Sequence, residues 1–203
     1  MQRIRVKYSK SDDLKFVSHS ELIRAIEKAI RRSDIPVSYS QGFNPHIKAD
    51  FGIPLQIGVS SCCELLDIYL EKRVGLREAA EMLNKALPPG IEISEMIELM
   101  DSAPSIQSAI NASVYKIIFN DGKDAEEKVN DILASKEIII LRKTKSGEKR
   151  MDIRPLILGM TLNGNELEIK LRSSPDGTLK VSEFISLLED LEVTSIKRTS
   201  LLP

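Results

Sequence analysis

The stretch that decides the fold is residues 62–97, CCELLDIYL-EKRVG-LREAAEMLNKAL-PPG-IEISEMI. Its first part is a strand in which Leu66, Ile68 and Leu70 fall on one side. Leu76–Leu87 is an amphipathic helix stopped by Pro88, Pro89 and Gly90, and Ile91–Ile97 is again a strand. Upstream, Ile4, Val6 and Tyr8 alternate with Arg5 and Lys7 as in a half-buried strand. Ser18 with Glu21 three residues on is a capping box, and Leu22, Ile23, Ile26, Ala29 and Ile30 form the apolar stripe of the helix behind it. Between this helix and Cys62 lie Pro36, Gly42, Pro45, Gly52, Pro54 and Gly58, which leave room only for short extended segments near 37–39 and 47–53 around a long loop. The order is β-α-β-β-α-β.

The same plan recurs downstream, with strands at 114–119 and 137–143, a helix at 124–133 between them, and a basic hairpin tip at 144–150. A strand at 166–172, a helix at 181–191 and a strand at 193–197 complete it. The split β-α-β motif, present twice, predicts an α+β fold of two tandem ferredoxin-like units packed into one compact body. Domains are expected at 1–99 and 113–203, with the Ser- and Ala-rich stretch 100–112 as linker.

The 203 residues carry a formal net charge of −1, which at first speaks against nucleic acid. Residues 1–50 nevertheless hold 10 basic and 6 acidic groups, and 132–155 hold 7 against 3, while 60–131 hold 7 against 14. No apolar run reaches the roughly 20 residues of a membrane helix. The residues after Met1 do not form a signal peptide, so a cytoplasmic protein is expected. Cys62 and Cys63 point to opposite faces of their strand, one core and one surface, so redox chemistry is rejected and no metal or cofactor is expected. Tyr69 and Phe119 stand alone among aliphatic residues and are expected in the core. With no aromatic pair on a strand, base stacking on the sheet face is disfavoured.

Two segments hold both histidines. One presents His19 at a helix start, where unpaired amides and the helix dipole favour an anion. The other, Tyr39-Ser40-Gln41-Gly42-Phe43-Asn44-Pro45-His46-Ile47-Lys48, is dense in hydrogen-bonding side chains. In the functional reading, His19, Arg24, Tyr39, Ser40, Gln41, Phe43, Asn44, His46 and Lys48 bind substrate, most of them lining one polar cleft. The bland alternative makes Ser18 a cap, His19 an exposed helix residue and Asn44-Pro45-His46 the shape of a turn. The basic stretch adds Lys143, Lys145, Lys149, Arg150 and Arg154 as candidate phosphate contacts, the alternative being a solvated hairpin.

These residues resemble a known family. Lys15-Phe16-Val17-Ser18-His19 with Leu22 and Arg24, the Gly42-Phe43-Asn44-Pro45-His46 string, and Phe51-Gly52, Pro54-Leu55 and Gly58-Val59 resemble the radical-SAM-linked bacterial domain family of unknown function. So do Glu64-Leu65-Leu66-Asp67 and Asp152-Ile153-Arg154-Pro155. The resemblance covers nearly the whole chain and fits the family's stand-alone form. It implies a separately encoded radical SAM enzyme as partner and, from the family's genomic company, a role in RNA or ribosome-related metabolism. The three-cysteine motif of radical SAM enzymes is absent, so no cluster is carried over. The tandem architecture, with a histidine after the first strand, also looks like the CRISPR repeat-processing endoribonucleases. Their glycine-rich loop is poorly matched by Ser173-Ser174-Pro175-Asp176-Gly177.

Three functions are therefore carried forward. The leading one is a non-catalytic accessory or substrate-binding module for a radical SAM enzyme, engaging RNA. The second is a metal-independent endoribonuclease with His19 as acid or base, and the third is a protein–protein adaptor.

Overall fold

The computed structural model describes residues 1–144, 147–174 and 177–203. The chain is mixed α+β and divides into two compact units, Met1–Ala109 and Ile110–Pro203. That division falls inside the stretch 100–112.

In the first unit the alternation of β1 (Gln2–Lys10) is exact in burial: Ile4, Val6 and Tyr8 are buried, while Arg3, Arg5 and Lys7 are half-buried on the other face. The helix α1 (His19–Arg32) follows, with Leu22, Ile26, Ala29 and Ile30 inward. It stops at Ser33, and Asp34 takes a φ of 57° to turn the chain. Next come β2 (Ala49–Phe51), β3 (Ser60–Leu70), α2 (Leu76–Ala86) and β4 (Ile91–Leu99). All pairings are antiparallel, β4 beside β1, β1 beside β3 and β3 beside β2. The two helices cover the face that carries Ile4, Val6, Leu66 and Ile68, with Ala79 and Leu83 supplied by α2. Burying these side chains provides about 1.5–3 kcal/mol each for the larger ones.

The second unit runs β5 (Ala112–Phe119), α3 (Lys123–Ala134), β6 (Ile139–Thr144), β7 (Gly147–Asp152), β8 (Ile157–Asn163), β9 (Glu166–Ser174), β10 (Gly177–Thr178), α4 (Val181–Ile185) and β11 (Val193–Leu202). The sheet order is β11, β5, β9, with β8 and the short β10 both on the far side of β9. Two expectations are corrected here. Among the described residues the strand expected at 137–143 pairs only with β7, as a separate hairpin, and the sheet position expected for it is filled by β8. The helix expected over 181–191 is a five-residue α-helix continued by a 3₁₀ turn at Ser186–Leu188.

Gly122 shows how tightly this unit closes above α3. A methyl group there would stand 2.5 Å from the Gly164 carbonyl oxygen, and both neighbours are backbone. Gly122→Ala is expected to cost about 1–3 kcal/mol through forced backbone movement. A urea denaturation midpoint indistinguishable from the parent would refute that packing.

Candidate functional site

The start of α1 is a closed cap. Ser18 Oγ accepts a bond from the Glu21 amide at 3.3 Å, and Glu21 Oε2 accepts from the Ser18 amide at 3.0 Å and its hydroxyl at 2.6 Å. These bonds hold the Glu21 carboxyl below its ordinary range. The helix thus carries its own carboxylate in the first turn, where the sequence suggested an external anion. His19 is half-buried and meets the Phe51 ring edge to face, with centroids 6.4 Å apart. Its Nδ1 is shielded from solvent.

Beneath this helix start lies a residue that sequence reasoning did not single out. Lys10 is 1% exposed and its ammonium donates to the carbonyls of Val17 at 2.8 Å and Lys15 at 3.3 Å. Burial pushes its pKa down, while the charge of nearby Glu64 opposes that shift. The Lys15 carbonyl also accepts from the Gly58 amide at 2.8 Å, which brings exposed Phe16 and Ile57 into neighbouring loops.

The second histidine belongs to a protruding hairpin. Tyr39 and Ile47 form an antiparallel bridge. The Ser40 amide donates to the His46 carbonyl at 2.8 Å, and the His46 amide donates to Ser40 Oγ at 2.9 Å. Gly42, with φ 141°, lets the tip turn. Gln41, Phe43, Asn44 and His46 are all exposed, and Phe43 is 101% exposed, as open as a residue can be. Lys48 is half-buried at the hairpin base, where its amide donates to the Ser38 carbonyl.

The predicted site residues therefore separate into groups. Tyr39, Ser40, Gln41, Phe43, Asn44, His46 and Lys48 share the hairpin. His19 sits against Phe51, five residues along an extended segment from His46, or about 16 Å at a rise near 3.3 Å per residue. Arg24 is exposed on α1, in a shallow cleft with Glu21, Lys28, Arg32 and Pro88. His19 thus meets the C-terminal end of β2, while His46 lies before its N-terminal end.

In the second unit, Lys143, Lys149 and Arg150 are exposed on the β6–β7 hairpin. The register places Lys143 opposite Glu148 and Arg150 opposite Leu141 on one face, and Lys149 opposite Arg142 on the other. Arg142 makes a two-pronged ion pair with Glu183, at 2.7 Å for each nitrogen. Arg154 is engaged by backbone carbonyls. Its guanidinium donates to the carbonyls of Ser135, Leu133 and Ile157 and so closes the C-terminal end of α3. Lys145 lies outside the described residues.

A polar network of the first unit lies on the sheet face away from the helices. Asp67 is fully buried and accepts from Arg5 at 2.7 and 2.9 Å and from Arg3 at 2.7 Å. Both arginines reach on to the segment after β4: Arg3 donates to the carbonyls of Ala103 and Pro104, and Arg5 to that of Pro104. Ile106, 1% exposed, lies beside Gly52 on the same face. Tyr69, expected in the core, is instead half-buried on this face, its hydroxyl donating to Asp50 at 2.7 Å under the Arg3 guanidinium. Burial and that bond raise the tyrosine's pKa. Phe119 is buried as expected, and of the two cysteines Cys63 is buried and Cys62 half-buried, neither in a disulfide.

Among the described residues no cluster of three His, Cys, Asp or Glu side chains is placed to hold a metal ion. No helix there is long and apolar enough to cross a membrane.

No curated protein matches the sequence. Among solved structures, a chain of a Cbf5-Nop10-Gar1 complex is similar, with a TM-score of 0.51 at 10% identity over 98% of this chain and 48% of that one. A chain from a box H/ACA sRNP Nop10-Cbf5 complex aligns over 100% of this chain and 48% of its own, at 11% identity and a TM-score of 0.45. The chain spans about half the length of these solved chains, and the likeness to the first is one of fold. The family comparison is firmer: the model of a family described as an uncharacterized protein conserved in bacteria, DUF2344, matches residues 3–185, and the chain belongs to that family.

Proposed function

We propose that the chain is a non-catalytic substrate-binding or accessory module for a separately encoded radical SAM enzyme, and that it engages RNA through loops rather than through a sheet face. The observation that carries this reading is the 39–47 hairpin. A fully exposed Phe43 between Gln41, Asn44 and His46 offers a stacking platform flanked by hydrogen-bonding groups. The exposed Lys143, Lys149 and Arg150 supply phosphate contacts. The sheet order supports a tandem ferredoxin-like description. In each unit the first strand lies between the fourth and the third, with the second outermost: β4-β1-β3-β2 and β11-β5-β9-β8. In the first unit, the outer face on which such a sheet would hold bases already carries Ile106 and the carbonyls bound by Arg3 and Arg5.

The test is fluorescence anisotropy with a labelled single-stranded RNA of about 16 nucleotides, a length drawn from known single-strand site sizes. Affinity is expected to fall as salt rises from about 50 to about 200 mM. Phe43→Ala is expected to weaken binding by about tenfold, since one base–aromatic stack contributes roughly 1–3 kcal/mol. The same variant should leave thermal stability unchanged, because the ring touches nothing that folding buries. RNA affinity unaffected by either change would overturn the reading. RNA cleavage in the presence of chelator would establish the endoribonuclease alternative instead. Capture of a protein other than a radical SAM enzyme from the native cell, without RNA affinity, would favour the adaptor.

A further inference from the structure

The edge of the second unit's sheet is undefended. β8 reads Ile157-Leu158-Gly159-Met160-Thr161-Leu162-Asn163, seven residues without a charge or a proline, and among the described residues it pairs only with β9. Sheet edges are ordinarily blunted by charges, prolines or shortness. The first unit follows that rule: β4 carries Glu92, Glu95 and Glu98, and β2 is three residues long. β8 does not, and it borders a cleft of about 550 Å³ beneath α3. Half-buried Met160 and Leu162 on the strand and Val129 and Leu133 on the helix supply apolar walls. The rim carries Asp121 and Glu126, and among the described residues no basic side chain lines the cleft.

We propose that this cleft takes an extended segment of a protein partner, which adds as a strand to β8. Its alternate apolar side chains enter between β8 and α3, and a lysine or arginine faces Glu126. Main-chain bonds to the open edge provide the affinity of such a mode, and the alternate side chains provide the choice of partner. A second copy of this chain offers no such match, because its own open edge, β8, carries no lysine or arginine to set against Glu126. This inference is independent of RNA binding by the hairpins.

The probe is a capped octapeptide alternating valine and lysine, titrated into the isotope-labelled full chain and followed by amide shifts and amide exchange. The expected result is slowed exchange and saturable shifts within residues 158–163. A valine–glutamate octapeptide should produce neither. Glu126→Lys, an exposed change that leaves the core intact, should weaken the lysine peptide severalfold. Absence of change at 158–163, equal binding of the two peptides, or binding indifferent to Glu126→Lys would overturn the proposal. So would protection of β8 that grows with protein concentration alone.

Discussion

Asp67→Ala is expected to destabilise the first unit by about 3–5 kcal/mol, the cost of breaking a buried ion pair from one side. The carboxylate has no contact with solvent and receives three bonds of 2.7 to 2.9 Å from two guanidinium groups. Removing it leaves Arg3 and Arg5 side by side on adjacent alternate positions of β1, two like charges with their common partner gone. The same arginines hold the carbonyls of Ala103 and Pro104, so the damage should spread to that segment. The expected signature is a lowered urea midpoint together with faster amide exchange across 103–109. Asp67→Asn keeps the shape and one acceptor, and should fall between the parent and the alanine variant. Arg77→Ala, which removes an exposed partner of Glu81, should leave the midpoint unchanged. A loss below about 1 kcal/mol in Asp67→Ala would mean that the arginines find solvent once released.

Asp67 also marks the limit of what a one-dimensional reading reveals. Within Leu65-Leu66-Asp67-Ile68 it stands on the strand's outward face, and alternation alone makes it ordinary surface. Its burial depends on the pairing of Arg5 with Asp67, a register between strands more than sixty residues apart in sequence. Local signals fared better. The Ser18–Glu21 box, the α1 stripe and the stop at Pro88 each depend on residues within a few positions, and each is present at the expected place. β8 escaped notice because its apolar residues alternate weakly around Gly159, and an edge strand needs only one buried flank. The 39–47 segment announced itself by composition, and its geometry as an exposed hairpin agrees. The separate placing of the two histidines depends on α1 starting at one end of β2 while the hairpin leaves from the other. No spacing in the chain encodes that.

Lys10→Met tests the second buried charge, and here pH supplies the discriminating sign. At neutral pH the variant removes the donors that serve the Val17 and Lys15 carbonyls and the cation near Glu64, which is 3% exposed. The expected loss is about 1–3 kcal/mol, the cost of deleting buried hydrogen bonds made by a charged donor. Because burial holds the Lys10 pKa below its ordinary value of about 10.5 in the folded chain, the unfolded chain binds the proton more strongly in the interval between the two values. In that interval the parent must therefore gain stability as pH rises, a gain the methionine variant cannot share. Urea midpoints of both proteins at neutral pH and again just below pH 10.5 should show the gap between them widening. A dominant attraction between Lys10 and Glu64 would do the opposite, since the folded pKa would then be raised and the gap would shrink as the ammonium loses its charge. A widening gap means that the chain keeps a costly cation under the start of α1 because the loop before His19 is folded around its donors.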